Sequence, residues 1–139
     1  MTTDQNRTAV SSFLEKLDKD ISAIEEYFIP DCQAHLPGNP DPTDRAGFQQ
    51  FVAMLYTAFP DLHHRVEQQI AEDEDVVTVI NVQGTHKGDF MGMIPPTGKQ
   101  VVFEDIMITR FREGKVVELW AQLDVLMLFQ QLGIFQMPG

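Results

Sequence analysis

Residues 59–84 read FPDLHHRVEQQIAEDEDVVTVINVQG, and the change of rhythm inside this stretch decides the fold. Up to Pro60, apolar residues recur at helical spacing, with Phe48, Phe51, Val52, Leu55 and Phe59 forming one stripe. After Pro60 the period becomes two, which predicts a strand carrying Leu62, His64, Val66, Gln68 and Ile70 on one face. The acidic run Glu72 to Asp75 marks a turn, and Val76 to Gly84 supplies the returning strand of an antiparallel hairpin. Val76 to Val82 is apolar at both parities, so this strand needs cover on two faces.

Working outward, Val101 to Phe111 predicts a third long strand, with Glu113 and Gly114 turning the chain into Lys115 to Leu123. Leu126 to Leu132 reads as a terminal helix stopped by Gly133. Toward the N-terminus, Val10, Phe13, Leu14 and Leu17 predict a helix that breaks near Asp18, and Ile21, Ile24 and Phe28 predict a second that Pro30 ends. Asp31 to Leu36 reads as a short strand. The segment from Pro37 to Pro42 has the composition of an irregular loop, and Thr43 or Asp44 is the expected N-cap of the Phe48 helix. Helices followed by a run of strands predict an α+β domain, with the helices against one face of a curved antiparallel sheet.

The 139 residues fit a single domain over 1–139, long enough to bury roughly two-thirds of the extended chain's surface without disulfide staples. The formal net charge of −11 repels phosphate backbones and anionic lipid, which excludes nucleic acid and a polybasic membrane contact as expected partners. The single cysteine, Cys32, builds neither a disulfide nor a Cys-rich zinc site, and the run Glu72 to Asp75 lacks the spaced ligands and turn glycine of a calcium loop. No metal is expected. The N-terminus shows neither the charged start nor the apolar core of a signal peptide, and no run is long enough to span a bilayer, so a reducing cytoplasm is the expected address.

Phe59-Pro60-Asp61-Leu62, Gly84-Thr85-His86-Lys87-Gly88, Pro96-Thr97-Gly98-Lys99 and Gly114-Lys115-Val116-Val117-Glu118-Leu119-Trp120, followed by Asp124 and Gln131-Leu132-Gly133, occur in this order. Together they resemble the SnoaL-like polyketide cyclase family across nearly the whole chain. The resemblance implies the cone-shaped fold of the nuclear transport factor two superfamily, in which a bent sheet and about three helices enclose a ligand cavity. It also implies a homodimer formed through the sheet, and an aldol closure run by an aspartate without metal or organic cofactor. Asp124 matches the position of that aspartate, and His35, followed by Pro37 and Gly38, matches a histidine that lines the pocket of the cyclases. One departure stands out: the cyclases carry glutamine and histidine on the preceding strand, and Val101 to Phe111 has neither.

Physical chemistry offers each candidate two readings. Asp124 shares strand parity with Trp120 and Gln122; in an apolar cavity its carboxyl would rise toward neutral pH and shuttle protons, whereas as the N-cap of a helix starting at Val125 its charged form would be favoured. His35 is either a proton donor to a substrate carbonyl or a satisfied strand histidine. His64 shares parity with Leu62 and Val66 and is expected to face inward, with His63 facing outward, so the two make a poor chelate. Asp105 shares its face with Val101, Phe103, Met107, Thr109 and Phe111, which are mostly apolar; it is either a second cavity carboxylate or a contact at a sheet edge or dimer surface. Gln83 and Gln122 are candidate oxyanion donors. Arg110 is expected to pair with an acid such as Glu118, and His86 to serve a turn or dimer contact. Phe90 and Met93, in a loop bounded by Gly and Pro, need cover from the cavity mouth, a dimer partner or a ligand, and are candidates to close the pocket.

Two functions follow. One is an enzyme that moves a proton α to the carbonyl of a small, apolar compound, leading to ring closure or isomerisation with His35 or a glutamine stabilising the oxyanion. The other is a noncatalytic module that binds a hydrophobic metabolite in the same cavity, because one fold hosts many sites.

Overall fold

The computed structural model describes residues 1–135. It is an α+β fold of nine elements: α1 (Thr3–Leu17), α2 (Ala23–Tyr27), β1 (Phe28–His35), α3 (Arg45–Ala58), β2 (His63–Glu72), β3 (Asp75–Thr85), β4 (Gln100–Arg112), β5 (Lys115–Leu123) and α4 (Val125–Leu132). Thr2 and Gln5 close a reciprocal capping box on α1, and Asp44 caps α3 through the Gly47 N–H at 3.0 Å. The β2–β3 hairpin turns on Asp73 and Glu74. In the β4–β5 hairpin both Glu113 (φ 52°) and Gly114 (φ 80°) take the left-handed backbone that a two-residue turn between twisted strands demands.

The strand order is β1-β5-β4-β3-β2, and β1 runs parallel to β5 while every other pair is antiparallel. The sheet is therefore mixed, not purely antiparallel as expected. The chain leaves β1 through α3 and returns at the opposite edge, and a short strand's period carries no record of which neighbour it will find. Two boundaries differ for related reasons. Phe28 and Pro30 belong to β1, where an edge strand tolerates the missing proline N–H. In β2 the register slips between Val66 and Gln68, so Gln69 and Ala71 turn toward the interior while Ile70 is 59% exposed.

The helices cover one sheet face. Val10, Phe13, Leu14 and Leu17 of α1 and Phe48, Val52 and Leu55 of α3 bury against Val76, Ile80, Val82, Phe103, Phe111 and Leu119. The opposite face presents Val102, Ile106 and Ile70 to solvent. No helix among the described residues is long and apolar enough to cross a membrane.

Candidate functional site

Where α1 and α3 meet the covered face of the sheet, a cavity of about 40 Å³ remains, lined by Phe13, Leu17, Tyr56, His64, Asp105 and Met107 among others. It shares Phe51, Leu55 and Leu123 with a chamber of about 330 Å³ that continues toward Phe90, Met91, Leu128 and Phe129. The two hollows are neighbours, and polar side chains line only the smaller one.

Asp105 lines the smaller cavity. The alternation of β4 that buries Phe103, Met107 and Phe111 carries Asp105 inward with them, on a strand paired on both sides. Its Oδ1 is buried without a hydrogen-bond partner. Desolvation pushes its pKa up to about 6, against the opposing pull of the His64 charge. A carboxyl so placed changes charge near neutrality, as a proton-transfer group must.

Tyr56 and His64 line the same cavity, and both bond to Asp18. Asp18, directly after α1, accepts hydrogen bonds from the Tyr56 hydroxyl (2.7 Å), the His64 Nδ1 (2.7 Å) and the His64 backbone N–H (3.0 Å). Burial raises the Asp18 pKa, but the bonds from His64 and Tyr56 outweigh it and hold the carboxyl below its ordinary range. Tyr56 is displaced upward by burial and by Asp18, so its phenol stays protonated. His63 also reaches Asp18, at 3.1 Å, from its exposed position.

Among the residues proposed from sequence, His64 and Asp105 line the smaller cavity and Phe90 the larger chamber. Asp124 does not: it is exposed, and its side chain caps α4 by accepting the Met127 N–H at 3.0 Å. Trp120 and Gln122 fall on the outer face, because Leu119, Ala121 and Leu123 take the interior parity of β5. His35 is outward for the same reason, since Cys32 and Ala34 point in; it pairs with Glu118 at 2.8 Å and stacks on Trp120 at 5.1 Å. Gln83 bonds to Asn81 at 2.7 Å on that face, beside a shallow polar hollow. Met93 is 72% exposed, and Met91 takes its place at the mouth. Arg110 pairs with Glu118 as expected, and with Asp75 as well.

His86 is fully buried and structural in its contacts: its Nδ1 accepts the Thr97 N–H, and its backbone bonds to Gly98 and Lys99 pin both ends of the loop that carries Phe90. Burial raises the Cys32 thiol to about 11, which leaves it unreactive. No group of three or more His, Cys, Asp or Glu among the described residues is arranged to hold a metal ion.

Sequence reasoning missed Asp18 and Tyr56. Asp18 reads only as a helix breaker. Tyr56 lies four residues after Val52, so helical spacing could have placed it on the buried side.

A five-stranded sheet with helices over one face, and a buried carboxyl in the largely apolar cavity between them, define the class as an α+β fold with a helix-covered sheet. The family is specific: the sequence profile of the SnoaL-like polyketide cyclases matches residues 7–132, and the chain belongs to that family. Among solved structures, it is similar to AclR of Streptomyces galilaeus, provisionally described as a hydroxylase, at 29% identity and a TM-score of 0.88 over 99% of this chain and 87% of that one. It is also similar to IdmH of Streptomyces antibioticus, provisionally described as a polyketide cyclase, at 30% identity and a TM-score of 0.83 over 93% and 99% of the two chains. A SnoaL-like protein of Jannaschia sp. CCS1 shares the fold at 23% identity and a TM-score of 0.86, over 96% and 95%. No curated protein sequence matches the chain significantly.

Proposed function

We propose that this protein catalyses cofactor-independent proton transfer on a small apolar carbonyl compound, with Asp105 as the general base. The observation that carries this reading is the buried, unpartnered Oδ1 of Asp105 in the wall of a largely apolar cavity. A carbon acid bound there loses its α-proton to Oδ1; the C–H electron pair passes into an enolate. That enolate either attacks a second carbonyl of the same molecule, closing a ring, or is reprotonated by Asp105 at another carbon. General-base catalysis of this kind contributes about 10²- to 10⁴-fold. Asp105→Asn is therefore expected to lower turnover of a carbonyl substrate at least about 100-fold while an apolar ligand still binds. Activity of the unaltered protein rises with pH through about 6, because the base must first lose its proton. Full turnover by the variant would refute the assignment.

One observation favours binding without catalysis: the larger chamber is lined by apolar residues and glycine with no titratable side chain. Failure of the unaltered protein to exchange the α-protons of a bound carbonyl compound would select this second reading.

We also infer that the uncovered sheet face pairs with a second copy. Val102 (45% exposed) and Ile106 (39% exposed) on β4 supply an apolar centre on the face opposite the cavity. Sedimentation at micromolar concentration showing only a 15.8 kDa species would refute it.

A further inference from the structure

We propose that Asp18 is a positioning residue that holds His64 with its proton on Nδ1, so that Nε2 becomes a second proton-transfer group of the cavity, facing Asp105. This rests on the acid/base reading above and adds the group that would handle the oxygen while Asp105 handles the carbon.

The placement of Asp18 makes little sense for the helix it follows. A carboxylate at the C-terminal end of α1 faces the negative end of the helix dipole, where a cation would be favoured. Its side chain instead collects bonds from elements far along the chain: Tyr56 from α3, and the ring and backbone of His64 from β2. With its pKa held below the ordinary range, Asp18 is an ionised acceptor at neutral pH, so every atom bonded to it there must donate. His64 Nδ1 at 2.7 Å therefore carries a hydrogen.

That fixes what Nε2 can be. In the neutral ring it is a bare lone pair, and in the charged ring a donor; it makes no hydrogen bond to the described residues, while the His64 side chain, 9% exposed, lines the inner cavity. Tyr56 cannot take the same part, because its hydroxyl hydrogen is committed to Asp18. The titratable groups facing His64 are Asp18 after α1, Tyr56 on α3, Asp105 on β4 and its neighbour His63; from β3 the paired residue is the apolar Val82.

Register shows why two groups are presented to one bound molecule. His64 pairs with Val82 and Val82 with Phe103, two residues along β4 from Asp105, so the two groups bracket the same patch of the inner face. As Asp105 takes the α-proton, negative charge grows on the carbonyl oxygen, or on the acceptor oxygen during ring closure. Nε2–H of the charged ring gives that oxygen its proton; the N–H electron pair stays on Nε2, and the ring becomes neutral without losing Asp18. In ring closure, transfer of the proton now on Asp105 to Nε2 through water restores both groups; in isomerisation Asp105 returns its proton to carbon and the enol O–H proton returns to Nε2.

The test needs no substrate. Uniformly ¹⁵N-labelled protein is titrated and the His64 ring nitrogens are observed through their two-bond proton couplings. The neutral ring is expected to show a protonated Nδ1 and a bare Nε2, the reverse of the preference of free imidazole side chains. Asp18→Ala is expected to return His64 to the Nε2–H form, and Asp18→Glu to restore Nδ1–H at least in part. A neutral His64 protonated on Nε2 in the unaltered protein overturns the proposal, even if Asp18→Ala fails to fold; so does a tautomer that Asp18→Ala leaves unchanged. If the tautomer is as stated and Asp105→Asn retains turnover, the acid/base reading fails and the positioning by Asp18 stands.

Discussion

Replacing Asp105 by Asn should make the protein more stable at neutral pH, by an amount that can be worked out. Burial raises the Asp105 carboxyl from the ordinary value of 3.8 to about 6. Between those values the folded state holds a proton that the unfolded state has released, so stability falls as pH rises across this window. The contribution is fully present below about pH 4 and lost once pH has passed through about 6. At about 1.4 kcal/mol per unit, a displacement of roughly two units corresponds to a loss of about 3 kcal/mol above pH 7. Asn cannot ionise and escapes that loss, while keeping the size and much of the polarity of the protonated acid. Urea unfolding of both proteins at pH 4 and pH 8 isolates the effect, because other titrating groups cancel in the difference between variants. The stability difference is expected to move by about 2.5 kcal/mol in favour of Asn from the low to the high pH, since a small part of the loss is already present at pH 4. A movement of that size would mean that the carboxylate is kept at the expense of stability, as functional groups in apolar cavities are. A difference that is the same at both values would show that Asp105 is not desolvated in the folded state, and the base assignment would lose its foundation.

The other predictions concern the walls of the site. Phe90→Ser should weaken uptake of an apolar fluorescent probe roughly tenfold, as expected for the loss of about 1–3 kcal/mol of apolar contact, whereas Met93→Ser should leave it unchanged, because only Phe90 lines the chamber. Fluorescence titration of the two variants decides it. Gly88→Ala places a Cβ 1.9 Å from the Thr57 carbonyl oxygen, a backbone atom that cannot move aside cheaply; denaturant unfolding is expected to show a loss of roughly 3 kcal/mol or more. Asp124→Ala should cost about 1 kcal/mol in the same assay through loss of the α4 cap, with turnover by the remaining folded protein unaffected. Abolished turnover with intact folding would return Asp124 to the catalytic machinery.

Much of the architecture is local and legible in the sequence alone. The switch from helical to alternating rhythm at Pro60, the turn at Glu113-Gly114 and the stop at Gly133 each depend on residues within a few positions of one another. The Asp44 cap and the pairing of Arg110 with Glu118 are readable for the same reason: cap and capped group, or residues on adjoining arms of one hairpin, lie close in sequence. Alternation also picks out Asp105 as the odd polar residue on an apolar face, though it leaves open what that face will meet.

Tertiary structure decides everything that depends on which face becomes the interior. Parity says that Trp120, Gln122 and Asp124 go together, but only the burial of Leu119, Ala121 and Leu123 on the helix-covered face determines that their side is outward. The bulge after Val66 reverses the second half of β2, and β1 joins β5 in parallel; neither has a local signature, because each is settled by a partner distant in sequence. The cluster of Asp18, Tyr56 and His64 is the clearest case. A helix end, a helix interior and a strand start, up to 46 residues apart, acquire a shared hydrogen-bond network only when the chain folds them around one carboxylate.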